Sequence, residues 1–376
     1  MYGRIILLLM LITLTACVEP FDPQIDSYEE ILVVDGIVTD EEVAARVRLS
    51  RSYSYDQNRS NAETNAIIIL SDETGNNYTL TEVDDGYYTY EGNDLNPEVG
   101  KLFKLYIMTR DGEEYESDYQ EMLQAPDIDS VYFVDYRGNP SSSYVNREGV
   151  DFYLNAEGGE DKSRYYKWEW EESWKILPPI NYPAVKYCWQ FNESSGINIA
   201  TTENLAENVL NNEFIYHVPF TQNKLAIQYS ANIKQYAVTR DNYIYLTKLQ
   251  KINRGSGGFF DPIPAALSGN INSLTDPDKP VLGFFEASTV SSKRIFISRQ
   301  DLEYGYIANG FEDCEIIYIP DSIFNTGEIR NYYYVYQYFD SFLDDTIVVM
   351  SNLRKCYDCS FVGDPKKPEY WTDEDE

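Results

Sequence analysis

The chain has 376 residues, of which 62 are acidic and 30 basic, for a formal net charge of −32. So negative a surface repels nucleic-acid phosphates, whose binding depends on Lys and Arg displacing counterions, and it stands off an anionic membrane face. The length is enough for two domains of ordinary size, each with its own core. Tyrosine is abundant, at 34 residues beside 17 Phe and 5 Trp. Aromatic side chains suit a pleated, half-buried surface. With many Gly, Asn and Asp turn signals, they point to an all-β fold. The tyrosines read first as structural, and the functional alternative is an aromatic platform for sugars or peptides.

At the N-terminus, Arg4 precedes the apolar run from Ile5 to Leu14, and Thr15-Ala16-Cys17 follows. A basic residue, an apolar run and small residues make a secretory signal. The run of about ten residues falls short of the roughly 20 that a membrane span needs. Its final cysteine makes the segment resemble a bacterial lipoprotein signal. On that reading residues 1–16 are removed, Cys17 is lipidated, and residues 17–28, with Pro20 and Pro23, form an extended tether.

Strand signals begin after the tether. Ile31 to Val34 is apolar and ends at Asp35-Gly36, and Ala45, Val47 and Leu49 alternate with Arg46 and Arg48, the period of a strand with one wet face. Ile67 to Leu70, Tyr78 with Leu80, Tyr87 to Tyr90, and Phe103, Leu105 and Ile107 continue the series between Gly-bearing turns. Spacing of this kind predicts an immunoglobulin-like β-sandwich over residues 29–124, and the order of Ala66 to Leu70, a Gly turn, a second strand, Asp85-Gly86-Tyr87 and Lys104 to Ile107 resembles transthyretin-like sandwiches. Its likeness to carboxypeptidase-regulatory modules implies a structural or protein-binding part. Ala125-Pro126-Asp127 marks the predicted boundary.

Residues 125–371 read as a larger β-rich sandwich or barrel-like domain with one helix. Tyr166, Trp168 and Trp170 alternate with Lys167, Glu169 and Glu171, giving a strand with an aromatic face and a charged one. Arg240 to Ile252 is the predicted helix, capped by Thr239 or Asp241 and ended by Gly255. The Gly255–Gly258 and Asp261–Pro264 segments form a long loop without the lysine of a phosphate loop. Val281–Ala287 and Lys293–Ser298 read as a hairpin. Tyr332, Tyr334, Tyr336 and Tyr338 fall on one face of a late strand, with Tyr333, Val335 and Phe339 on the other. A strand aromatic on both sides reads as buried between layers, and the four tyrosines are the candidate ligand platform if one face is open. Residues 372–376 are an acidic tail.

Four cysteines remain besides Cys17, namely Cys188, Cys314, Cys356 and Cys359. In an exported chain an even number favours disulfides, and three pairings are open. Zinc would need a second close pair beside Cys356-Tyr357-Asp358-Cys359. The acidic turns Asp84-Asp85, Asp111-Gly112-Glu113 and Asp127-Ile128-Asp129 read as solvated, with calcium as the alternative, and none has the spacing of an EF-hand loop. The one histidine, His217, sits in an apolar strand setting and reads as a satisfied core or interface residue. No nucleophile elbow occurs. A carboxylate-based hydrolase is permitted by the many acids but nothing singles out a pair. The expectation is no enzyme activity, no resident cofactor or metal, and no nucleic-acid partner.

Several segments together resemble one family. They are Val33-Val34-Asp35-Gly36-Ile37-Val38-Thr39, Val47-Arg48-Leu49-Ser50, Trp168-Glu169-Trp170-Glu171, Cys188-Trp189 and Gln235-Tyr236-Ala237-Val238. Ser268-Gly269-Asn270-Ile271, Gly283-Phe284-Phe285-Glu286-Ala287-Ser288 and the closing Cys-x-x-Cys with Pro368-Glu369-Tyr370-Trp371 follow in order. They look like the Bacteroidota lipoproteins of domain of unknown function 4249, over nearly the whole chain, with the closing motif the most specific part. The resemblance implies no assigned activity. It implies an accessory role beside a TonB-dependent transporter, an outer-membrane location through the lipid anchor, and the cell surface in preference to the periplasmic face.

Overall fold

The computed structural model describes residues 31–52, 61–136, 148–159, 162–180, 186–254, 267, 269–303, 305–323 and 332–371. The expected signal, Cys17, its tether, the Gly/Pro-rich loop and the acidic tail lie outside the described residues. Among the described residues the protein is all-β with one α-helix, as its sequence pattern predicts.

The first nine strands are β1 (Leu32–Val38), β2 (Ala45–Arg51), β3 (Asn61–Ala62), β4 (Ile67–Asp72), β5 (Asn77–Asp84), β6 (Tyr87–Thr89), β7 (Leu102–Met108), β8 (Glu114–Ser117) and β9 (Gln120–Glu121). Their turns follow from side-chain chemistry. At the β4–β5 turn the Asp72 carboxylate accepts the backbone N–H groups of Thr74 and Asn76, both at 2.9 Å. Burial pushes its carboxyl up, but these bonds and those from the two side chains hold it well below the usual carboxylate range.

The chain then enters β10 (Asp127–Tyr136), β11 (Gly149–Glu157), β12 (Tyr165–Ile176), β13 (Cys188–Glu193), β14 (Asn198–Thr201), β15 (Val209–Pro219) and β16 (Gln228–Ala237). Helix α1 (Arg240–Arg254) follows, with Thr239 as its cap: the hydroxyl accepts the Asn242 N–H at 3.2 Å. The remaining strands are β17 (Ile271–Ser273), β18 (Val281–Ala287), β19 (Val290–Ser298), β20 (Ile316–Pro320), β21 (Tyr333–Asp340) and β22 (Asp345–Ser351).

Ala125–Asp127 is where the chain leaves the first sheet, but it comes back. β18 pairs in parallel with β1, and β17 pairs with β8. The sheet is therefore eleven-stranded, ordered β17-β8-β7-β4-β5-β6-β2-β1-β18, with β3 on β2 and β9 on β7. Its two end strands follow one another in the chain, so the sheet comes close to closing around one core of Leu32, Leu49, Ile68, Phe103, Leu105 and Phe285. The return explains why β18 and β19 are not the predicted hairpin. The chain changes sheet between them, with β18 on β1 and β19 on β16.

The second core lies between the three-stranded sheet β10-β11-β15 and the five-stranded sheet β13-β12-β16-β19, in which β14 also pairs with β12. The aromatic face of β12 points into this core: Tyr166 and Trp168 stack with centroids 5.9 Å apart, and Trp168 Nε1 donates to Gln235 at 2.8 Å. A fourth sheet, β20-β22-β21, adds no residue to either core.

Two disulfides settle the open pairing. Cys188 bonds Cys359 and Cys314 bonds Cys356. The first ties the closing segment to β13, and the second spans the fourth sheet at its base. Trp371 completes the attachment, buried against Phe296 and Trp189 with its Nε1 donating to Ser173 at 3.2 Å.

Candidate functional site

The residues that bring the two lobes together come from strands whose sequence alternates charged and apolar. Arg46 stands on the outward face of β2, and Lys167, Glu169 and Glu171 stand on the outward face of β12. Each face looks solvated in sequence. In the structure the two faces meet.

The result is a seam of alternating charge. Glu286 of β18 pairs with Lys167, whose ammonium also lies 3.2 Å from Glu169. Glu169 takes Arg46 at 3.1 Å and the Tyr236 hydroxyl at 3.0 Å. Arg46 reaches Glu41 at 3.4 Å, and Lys234 bridges Glu41 and Glu171, both at 2.7 Å. Burial alone would lower the Lys167 ammonium, but the charges of Glu286 and Glu169 outweigh it and hold that group well above its ordinary value. Burial likewise works to raise Glu169, yet Lys167 and Arg46 bring it down to about 2. At Glu286 burial wins, and its carboxyl is raised despite Lys167. Both oxygens of Glu286 are engaged, one by Lys167 and one by the Asn242 amide. Two carboxylates that meet here, Glu169 and Glu286, are thus bridged by one ammonium.

The backbone that places Glu286 depends on close approach. Gly283 has φ +124°, and a Cβ there would lie 1.8 Å from the Val34 carbonyl oxygen across the parallel β1–β18 pair. A Cβ on Gly269 would come 1.5 Å from the Gly283 oxygen. Only glycine fits either position. Between them, the Asn270 side chain imitates a strand, donating to Phe285 O at 2.7 Å and accepting Phe285 N–H at 2.8 Å. Two adjacent crossings then fasten the lobes. Thr289 Oγ1 accepts the Ala125 N–H at 2.8 Å, Ser288 Oγ accepts the Ala237 N–H at 2.9 Å, and Gln235 Nε2 donates to Pro126 O at 2.7 Å.

Two cavities of about 420 Å³ each open on the seam and share Glu169 and Ser194. The outer one is walled by Glu41, Glu42, Glu171 and Glu193 with Arg46 and Lys234. The inner one lies under α1, against Asp35, Arg48, Lys167, Asn242, Tyr245 and Phe284.

The residues singled out from sequence are elsewhere. Tyr332 precedes β21, and Tyr334, Tyr336 and Tyr338 do not share a face. Tyr334 is level with Met350 but Tyr336 is level with Val349, so a bulge at Val335 breaks the alternation. Tyr333, Tyr336 and Tyr338 share one side and Tyr334 takes the other. The strand is nonetheless open: Tyr334 is 55% exposed and Phe339 63%. At the hairpin tip Phe342 is 94% exposed, beside exposed Leu343 and flanked by Asp340, Asp344 and Asp345. His217 pairs through Nδ1 with Asp151 at 2.6 Å, directly across the β11–β15 ladder. Glu113 of the Asp111-Gly112-Glu113 turn is bound by Arg51 at 3.2 Å and by Lys279. Among the described residues no group of three or more His, Cys, Asp or Glu is placed to hold a metal, and no helix is long and apolar enough to cross a membrane.

Asp35, Glu169, Tyr236 and Glu286, drawn from four of the segments that carry the family likeness, thus come together at one seam. The model of the domain of unknown function DUF4249 matches residues 18–294. The chain belongs to this family. No curated protein and no solved structure matches it. The DUF4249 match takes in both large sheets and ends within β19, so the closing Cys-x-x-Cys and Pro368–Trp371 lie beyond it. The expected likeness over nearly the whole chain is narrowed accordingly. Sequence reasoning missed the seam itself. Its signal was present in two alternating strands, one carrying arginines and the other Lys and Glu.

Proposed function

We propose that this DUF4249 protein is a non-enzymatic lipoprotein of the outer membrane, anchored through Cys17 on the cell surface, that assists a TonB-dependent transporter in nutrient capture or uptake. The observation that carries this reading is the fourth sheet, which joins neither core and presents Tyr333, Tyr334, Tyr338, Phe339, Phe342 and Leu343 to solvent. Exposed apolar clusters of this kind mark interaction surfaces. The three aspartates around the tip favour a partner groove that is apolar inside and basic at its rim. The signal-like segment ending at Cys17 supports the anchor.

Affinity capture of tagged native protein from detergent-solubilised outer membrane tests this reading. A TonB-dependent transporter is expected with the wild type and is lost with Phe342→Ser/Leu343→Ser. That variant changes folding stability by no more than about 0.5 kcal/mol, because both side chains are exposed. Recovery of the protein alone overturns the reading.

The exposed tyrosines of β21 favour a second reading, a surface module for glycans or peptides. Saturable binding of an oligosaccharide or peptide, weakened by Tyr334→Ala and Tyr338→Ala, distinguishes it.

A further inference from the structure

The inner cavity holds an observation that the ion-pair seam does not explain. Asn242 is 2% exposed on the first turn of α1 and lines this cavity. Its amide nitrogen donates to Glu286, but its Oδ1 has no hydrogen-bond partner. A buried acceptor left unmet is unfavourable, and native proteins satisfy nearly all such groups. An acceptor in this position is suited to a donor brought in from outside.

The surroundings say which donor. The inner cavity carries the carboxylates of Asp35, Glu169 and Glu286 against the cations of Arg48 and Lys167. The adjoining outer cavity is more acidic still, with five glutamates against Arg46 and Lys234. An anion entering from either side meets an unfavourable field, and a cation a favourable one. Phe284, Tyr245 and Leu249 provide an apolar wall beside Asn242, and aromatic faces also attract ammonium groups.

We propose that the inner cavity binds a compact organic ammonium, a primary amine on a small apolar body. The ammonium donates to Asn242 Oδ1 within the field of Asp35 and Glu286, and the body packs on Phe284, Tyr245 and Leu249. The cavity volume of about 420 Å³ accommodates a molecule of this size. This site depends on neither reading of the fourth sheet.

Three probes that share one body and differ in charge test it by titration calorimetry on the full-length protein in detergent. They are phenethylammonium, 2-phenylethanol and phenylacetate at pH 7 and low salt. Phenethylammonium is expected to bind saturably and at least about tenfold tighter than 2-phenylethanol, with phenylacetate undetectable. Asn242→Leu should abolish amine binding. Because that change also removes a contact to Glu286, Asp35→Asn serves as a second variant at an exposed position and should weaken the amine about threefold or more while leaving the melting temperature unchanged. Equal binding of the three probes overturns the proposal, since the cavity would then be only an apolar crevice. Absence of saturable amine binding overturns it too, as does amine binding that neither variant alters.

Discussion

β12 and β21 look alike in sequence, each a strand with aromatic residues at alternate positions, and they have opposite fates. β12 is paired along both edges, by β16 on one side and by β13 and β14 on the other, and is covered on both faces. Its aromatic side joins the second core and its charged side meets the first lobe. β21, at the end of its sheet path, pairs among the described residues with β22 alone. There the aromatic side chains stay in solvent, while charged Lys167 and Glu286 are buried. Aromatic density therefore does not decide burial in this protein. The number of neighbours does, and the charges of β12 that face the first lobe, Lys167, Glu169 and Glu171, tolerate their partial burial because each meets an opposite one.

Lys167→Met breaks that comparison most sharply. It leaves Glu286 buried without its cation, and removing one partner of a buried pair costs about 3–5 kcal/mol. The double change Lys167→Met/Glu286→Gln removes the stranded charge and retains an acceptor for Asn242, so it should recover more than half of the loss. Urea titrations measure both variants, with the shift expected in the midpoint and not in the slope. Equal destabilisation by the single and double variants would mean that Lys167 acts by packing and not by pairing.

A smaller effect separates the fourth sheet from the rest. Cys314 lies just before β20 and Cys356 just after β22, closing a loop of sequence separation 42. Cys314→Ala/Cys356→Ala should cost about 2–4 kcal/mol. The loss should be local. Backbone amides of β20–β22 are expected to exchange with deuterium faster, while those of β12 and β16 keep their protection. The Cys188–Cys359 bond, with a separation of 171, should remain intact and keep Trp371 in place. Faster exchange throughout both large sheets would show that the fourth sheet is energetically part of the main body.

The same contrast explains what could be read in the sequence. The β-rich class, the individual strands from Leu32 to Ile107, the cap at Thr239 and the disulfide character of four cysteines all rest on local pattern. The pairing of β1 with β18 does not, because nothing within either strand specifies a partner some 250 residues away. That is why Val281–Ala287 looked like half of a hairpin. The bulge at Val335 was invisible for a related reason, since it is defined by the register against β22. Arg46 and Glu169 each looked like surface residues, and only the contact between lobes makes them a site.

Acid gives the mildest way to sharpen the comparison, because it acts on the charged seam and not on the apolar parts of the fourth sheet. Glu169 is held at about 2, below its ordinary 4.5, chiefly because Lys167 and Arg46 outweigh the opposing effect of burial. A carboxylate with a depressed folded-state value contributes stability that is fully present above about pH 4.5 and is lost as the pH falls towards 2. Glu286 works in the opposite sense: its value is raised, so the cost of keeping it ionised fades on acidification. Glu169→Gln should therefore lower stability at neutral pH and flatten the acid limb between those two values. Its side chain is 39% exposed, so solvent screening should keep the loss below about 1 kcal/mol. Thermal melts of wild type and Glu169→Gln from pH 7 to pH 2 provide the measurement, and the two curves should converge at the acid end. Parallel curves across that range would place the acid sensitivity outside the seam and remove Glu169 from the set of residues that hold the lobes together.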